Sequence, residues 1–349
     1  MTNPPKICVA LTGLNAIDNP GSGLGVARAL KEDFGENIRI IGLAYENLEP
    51  AIYLKEQIDK TYKIPYPADG TDSLLNRLAF IQQKEHIDVL IPNFDAELTN
   101  FIKIEGQLAL LGIKTYLPSL AQFQQRDKLN LYAFGKGKGL CIPPDIQINK
   151  ETELHMASID LGFPLVIKGK FYDAIICHHL ADTYKAYHQL SAKWGLPIIV
   201  QKYINGTEFN IAGLGDGKGN IISAIPMRKL FITEKGKAWA GISIEDEAMI
   251  DLAFQFAKAS QWRGAFELEV VKDHEGRLFI IEINPRFPAW IYLSVAAGQN
   301  QPKALVQMAT GQEINKLHGL KGGKMFVRYA WDHVIDVEEF QKLAAFGEL

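Results

Sequence analysis

The first 118 residues alternate short apolar runs with amphipathic stretches, and this order constrains the fold more than any other feature. KICVAL (6–11), IRIIGL (38–43) and IDVLIP (87–92) read as strands. Between them, GLGVARALKEDF (23–34) puts Val26, Ala27, Leu30 and Phe34 on one helical face. SLLNRLAFIQQKEH (73–86) does the same with Leu74, Leu75, Leu78 and Ile81. ELTNFIKIEGQLALLG (97–112) reads as a further helix and IKTYLP (113–118) as a closing strand. The near-continuous apolarity of IDVLIP suits a parallel strand covered on both faces. Together these segments predict a doubly wound α/β unit.

The pattern changes between 118 and 145, where Pro118, Gly135, Gly137, Gly139, Pro143 and Pro144 punctuate the chain. A helix is expected near 151–162, a strand at PLVIK (164–168), a helix near 180–194 and a strand at PIIVQKYI (197–204). Beyond that point hairpins dominate. TEFNIAGL turns through GDGKGN into IISAIPMRKL, and FELEVV turns through KDHEG into RLFIIEIN, with a helix over 245–261 between them. No internal repeat or low-complexity stretch is visible. At 349 residues the chain is long enough for two or three domains.

Composition excludes several classes. A net charge of −3 offers no broad basic surface to nucleic acid. No apolar run is long enough to span a bilayer, and MTNPPKICVAL lacks the layout of a signal peptide. Cys8, Cys141 and Cys177 are odd in number, far apart and without metal spacing, as expected of reduced thiols in a cytoplasmic protein. Asn205-Gly206-Thr207 then reads as a tight hairpin turn rather than a glycosylation site.

NPGSGLGVARAL (19–30) lies where a dinucleotide fold puts its phosphate loop, but the G-x-G-x-x-G spacing fails. Counting from Gly21 the third glycine falls on Val26, and counting from Gly23 it falls on Arg28. Glu46, beyond the second strand, is all that remains of a dehydrogenase reading. The loop is either a tight turn into a helix or, with Arg28, an anionic substrate site at a helix N-terminus. Asp95 and Glu97 stand at the C-terminal end of IDVLIP, facing either the ligand crevice of an open sheet or the first turn of a helix.

FIIEINPRF (279–287) sets Glu282, Asn284 and Arg286 at alternate positions among apolar residues. Glu267 and Glu269 are likewise two apart on the preceding strand. If the hairpin register puts both pairs on one face, hard oxygens converge there, as Mg²⁺ requires. Turn length leaves that parity open, and leaves open whether Glu267 or Glu269 is the ligand. The plainer reading is surface ion pairs on a solvated hairpin, but unpaired acids in such apolar strands would be costly without a cation.

Glu282-Ile283-Asn284-Pro285-Arg286 resembles the metal-binding end of ATP-grasp enzymes, most of all the carbamoyl-phosphate synthase large-chain and biotin carboxylase branch, a carboxylate–amine ligase grouping. QKYINGTEF (201–209) is similar to that superfamily's adenine-and-ribose segment. The resemblance implies that Lys202 and Ile204 offer backbone groups to adenine. It also implies that Glu208 binds ribose, and that Gln201 stands where an acid is frequent and meets the adenine amine through its carbonyl. Lys168 matches the phosphate-contacting lysine and Lys128 the earlier lysine that reaches phosphate. Arg228 matches a basic residue near the phosphates or the acyl phosphate. Across the chain it implies a Rossmann-like pre-ATP-grasp domain (1–125), a small lid lobe (126–204) and a large lobe with the metal site (205–349). The fold class is thus α/β and α+β.

The implied activity is an ADP-forming ligase. ATP and Mg²⁺ (Mn²⁺ as a substitute), the metal held by Glu269, Glu282 and Asn284, would activate a carboxylate as an acyl phosphate for attack by an amine. Lys168, Arg228 and Arg286 would be catalytic, Lys128, Lys168, Gln201, Lys202, Ile204 and Glu208 would bind nucleotide, and Arg28, Asp95 and Glu97 would meet substrate. The partners are small molecules, not nucleic acid or membrane, and homodimerisation is plausible for the family. The sequence departs from the pattern at GKFYDAIICHH (169–179), where a glycine-rich lid is usual and one glycine stands, with Lys170, His178 and His179 as potential compensation. The alternative is an ATP-binding subunit without catalysis.

Overall fold

The structure is a computed structural model. It describes residues 6–17, 19–171, 173–233 and 236–349. The N-terminal residues 1–5 of the signal-peptide argument and Tyr172 of the lid segment lie outside that set. The chain divides into two compact units. The first comprises residues 1–122, 210–267 and 284–349, and the second residues 123–209 and 268–283.

The first unit carries a four-stranded parallel sheet in the order Lys60–Lys63, Ile38–Ala44, Ile7–Leu11, Val89–Ile91. Helices Ser22–Phe34 and Thr71–Glu85 alternate with these strands as the sequence implies. The helical face of Val26, Ala27 and Leu30 is fully buried, with Phe34 packed at its margin. The core runs on to Ile225, Met227, Trp290, Ile291 and Leu305.

One strand goes unread in the sequence and two expectations fail here. The strand Lys60–Lys63 is too polar to read in sequence. It forms because Thr61 and Tyr62 are buried and because the chain's last residues pair with it, Thr61 and Leu349 exchanging backbone bonds of 3.0 and 2.9 Å. The 97–112 helix is broken at Ile104 into Asp95–Lys103 and Glu105–Leu110. IKTYLP contributes only a single bridge, Val89 to Lys114.

A six-stranded sheet runs in the order Leu278–Asn284, Arg263–Asp273, Gly206–Asp216, Ile221–Ile232, Ala238–Ser243, Met325–Val327. Both predicted hairpins are present. Asp216 and Asp273 each close a turn, with Asp216 N bonding Asn220 O at 3.1 Å and Asp273 N bonding Arg277 O at 3.0 Å. Helix Glu247–Ser260 is capped by the Asp246 side chain and packs Phe256 against Trp262 and Phe266.

The second unit contains an antiparallel sheet in the order Asp145–Ile148, Ile198–Lys202, Leu165–Lys168, Ala174–Cys177. Its alternation is sharp. Ile148, Leu165, Ile167, Cys177, Ile198 and Val200 face helices Leu154–Leu161 and Leu180–Trp194 and form one core. The other face carries Asp145, Gln201 and Lys168.

Asn205-Gly206 is not a hairpin turn, because the strands on either side of it belong to different sheets. Gly206 does not have positive φ. It is a glycine because a Cβ would come within 2.2 Å of the Lys272 carbonyl oxygen.

Candidate active site

In the second unit, the sheet's polar face places Lys168 at the end of its strand, half-buried, with Nζ 3.5 Å from the Ile281 carbonyl. Burial lowers its pKa from 10.5 to about 8. Glu282 opposes the shift most, Lys128 adds to it, and Asp145 and Glu269 oppose it. Lys128 Nζ is 3.6 Å from Glu282 Oε2. The structure therefore brings together Lys128, Lys168, Glu269 and Glu282, which lie far apart in sequence. Two cations and two carboxylates nearly balance without ligand.

Gln201 is buried on the same face, its Nε2 3.4 Å from the Pro143 carbonyl. The Lys202 N–H bonds Pro144 O at 2.9 Å, while the Ile204 backbone groups have no partner among the described residues. Ile204 is thus the open backbone position beside Gln201. Glu208 is exposed near the start of its strand. Asp145, which sequence reasoning passed over, is drawn into the cluster by register, opposite Gln201. Burial pushes its carboxyl up to about 6, against Lys168 and the Gln201 amide.

The lid segment is a tight hairpin. Lys168 pairs with Ala174, and Gly169 N bonds Asp173 O at 3.2 Å. The tip is tied down, since Asp173, at φ +65°, accepts from Lys193 Nζ (2.7 Å) and Trp194 Nε1 (2.9 Å). Phe171 stands edge-on to Trp194 and Lys170 lies over Phe171. His178 and His179 are exposed, and the His179 carbonyl accepts from Asp182 in the first turn of the next helix.

In the first unit, Glu267 is the hub. Its carboxylate accepts from Asn210 Nδ2 (2.5 Å), Trp290 Nε1 (2.8 Å) and Asn284 Nδ2 (3.2 Å), with Arg286 Nη1 at 3.9 Å. The contact between Asn284 and Glu267 decides the parity that turn length left open. Glu267 is thus spent on hydrogen bonds within its own unit. Asn284 donates to Glu267 through its amide nitrogen. Arg286 Nε donates to Asp95 Oδ2 at 2.8 Å, so two predicted site residues meet. Asp95 Oδ1 is buried without a partner among the described residues. Arg328, missed in sequence, holds a buried Nη1 without a partner among the described residues. Burial lowers its pKa to about 10 against the field of Glu267. Only the alternation of MFVRYAW hinted at it.

Glu97 is a buried helix cap. It takes hydrogen bonds from the Thr12 and Tyr45 hydroxyls, Asn93 N (2.9 Å) and Phe94 N (3.0 Å), and burial raises its pKa to about 7. Arg28 is exposed and lies over the Tyr292 ring at 3.9 Å. The glycine loop is a packing device, with Gly21 N and Gly23 N bonding Asn15 O (2.7 Å) and Gly13 O (3.0 Å) and so turned away from any anion. Arg228 is exposed on its strand opposite Ile242.

By chemistry alone, the expected metal ligands are of the type that Mg²⁺ takes. Glu269, Glu282 and the Asn284 amide offer only hard oxygens. Among the described residues no three of His, Cys, Asp or Glu gather closely enough to hold a metal ion by themselves.

Residues 196–328 match the family model described as ATP-grasp in the biosynthetic pathway with Ter operon. The solved biotin carboxylase–βγ-ATP complex from Campylobacter jejuni superposes with a TM-score of 0.72 at 18% identity, covering 91% of this chain and 74% of that one. The chain is thus similar to ATP-grasp proteins, in sequence over its C-terminal part and in fold across most of its length. Among curated relatives, D-alanine–D-alanine ligase B of Pseudomonas putida is 27% identical over 232 residues, 62% of this chain and 71% of that protein. The carbamoyl phosphate synthase large chain of Clostridium acetobutylicum is 23% identical over 281 residues, 74% of this chain but 25% of that one. The fold expectation, a Rossmann-like unit followed by an ATP-grasp, stands.

Proposed function

We propose that the chain is an ATP- and Mg²⁺-dependent ligase that activates a carboxylate as an acyl phosphate and joins it to an amine, releasing ADP and phosphate. The observation that carries this reading is the convergence of Lys128 and Lys168 on Glu282 on the polar face that also holds Gln201. Lysines held half-buried against carboxylates suit a polyphosphate with its divalent cation, and a biotin carboxylase solved as a βγ-ATP complex has a similar fold.

In this reading Gln201 and Ile204 meet the base, Lys202 flanks it and Glu208 takes the ribose. Lys128 and Lys168 hold phosphate. Glu269, Glu282 and Asn284 would hold Mg²⁺, which when bound offsets phosphate charge. Arg286, oriented by Asp95, stabilises the negative charge that builds up as the carboxylate attacks, and Arg228 and Arg328 are further guanidinium sources. Catalysis is then positioning and electrostatics, with no enzyme nucleophile.

No described helix is long and apolar enough to cross a membrane, and the three cysteines are free. Both agree with a cytoplasmic setting and small-molecule substrates, and a homodimer is testable by sedimentation. The anchored tip at Asp173 favours a second reading, an ATP-binding subunit that does not turn over.

The test is ADP and phosphate release from Mg-ATP against a panel of amino acids and small carboxylates. Substrate-dependent release that is lost in Glu282→Ala supports the ligase. ATP binding without release on any pair supports the binding subunit.

A further inference from the structure

Gln201 is held by two neighbours that only accept hydrogen bonds. One is the Pro143 carbonyl, 3.4 Å from its Nε2. The other is Asp145, its direct partner across the antiparallel pair, where opposed side chains stand about 4.5–5.5 Å apart at Cβ. An ionised carboxylate has no proton to give. The amide nitrogen must therefore face Pro143 and Asp145. Turning the amide over would set Oε1 against a carbonyl and a carboxylate. Oε1 is left without a partner among the described residues, on the face that carries Lys168.

We propose that Asp145 is a positioning residue that locks the Gln201 amide with its carbonyl oxygen outward, and so makes the site select a 6-amino purine over a 6-oxo purine. An unlocked glutamine could serve either base by flipping. A locked one accepts from an exocyclic amine and sets oxygen against oxygen when the base carries a carbonyl there. The strand thereby recovers, through its neighbour, the acceptor-only character that an acid at 201 would supply directly. The inference rests on the nucleotide-site reading above.

The experiment compares ATP and GTP binding to the full chain by calorimetry, for wild type, Asp145→Ala and Asp145→Ala/Gln201→Glu. Wild type should prefer ATP by about tenfold or more. Asp145→Ala leaves only the long 3.4 Å contact to the Pro143 carbonyl to orient the amide, and should lower the ratio, chiefly by improving GTP binding. The double variant should restore the preference, because a carboxylate at position 201 accepts without needing to be oriented. Should Asp145→Ala fail to fold, Asp145→Asn is read in its place. An amide at 145 satisfies Gln201 in either orientation, so the ratio should again fall.

A role for Asp145 only as counter-charge to Lys168 predicts equal changes for both nucleotides and no restoration, and that result would overturn the proposal. So would a wild type that binds ATP and GTP alike. A wild type that binds neither nucleotide removes the nucleotide-site reading itself, and the proposal with it.

Discussion

Lys168 shows how function and stability oppose one another at a single residue. Its folded pKa of about 8 lies below the 10.5 of the free side chain. The unfolded chain therefore binds the extra proton between those values, and folding is penalised below pH 8, with the penalty relieved as pH rises toward 10.5. Lys168→Met should abolish nucleotide-dependent phosphate release. It should also raise the stability of the ligand-free protein at pH 7 by ~1–2 kcal/mol, discounted for partial exposure, and the gain should shrink between pH 8 and 10.5. Chemical denaturation at several pH values checks both signs.

At Glu97 burial likewise disfavours the charged form, but four donors converge on its two oxygens. Glu97→Gln offers an NH₂ where an acceptor is required and should cost about 2 kcal/mol in the same assay. The sequence placed Glu97 correctly in a helix's first turn, but Thr12 and Tyr45 reach it only after folding.

At the scale of elements, the glycine loop and the 263–284 hairpin show what pattern can and cannot reveal. A Cβ on Gly23 would lie 2.1 Å from the Thr12 carbonyl oxygen. Gly23→Ala should accordingly destabilise by roughly 3 kcal/mol or more, read as a lowered denaturation midpoint. Its failed dinucleotide spacing was visible in sequence, whereas the reason for its glycines, backbone packed on backbone, was not. In the hairpin, the acids and the amide were visible, but not which of Glu267 and Glu269 is spent on structure. Asn210, 57 residues away, and Trp290 engage Glu267, and no local pattern foretells such long-range bonds. The Asn205-Gly206 dipeptide misled because local turn propensity lost to strands recruited into separate sheets.

At the scale of the whole molecule, Mg-ATP should behave as a ligand of the folded state alone. At a hundredfold excess over its Kd it should add about 2.7 kcal/mol to unfolding. A thermal shift seen with Mg-ATP, lost on adding EDTA and diminished in Glu282→Ala, would bear this out. No shift with any nucleotide would sink the assignment.

Sequence alone determined the alternation of strands and helices, the two later hairpins and the order of Lys128, Lys168, Gln201, Glu269, Glu282, Asn284 and Arg286, because periodicity and residue type are local properties. Tertiary structure alone decided the polar edge strand at Lys60–Lys63, the pairing of Arg286 with Asp95, the occupation of Glu267 and the placing of Asp145 opposite Gln201. Each of these depends on which distant backbone lies alongside, and register between segments is set by the packing of the whole core rather than by the residues that happen to meet.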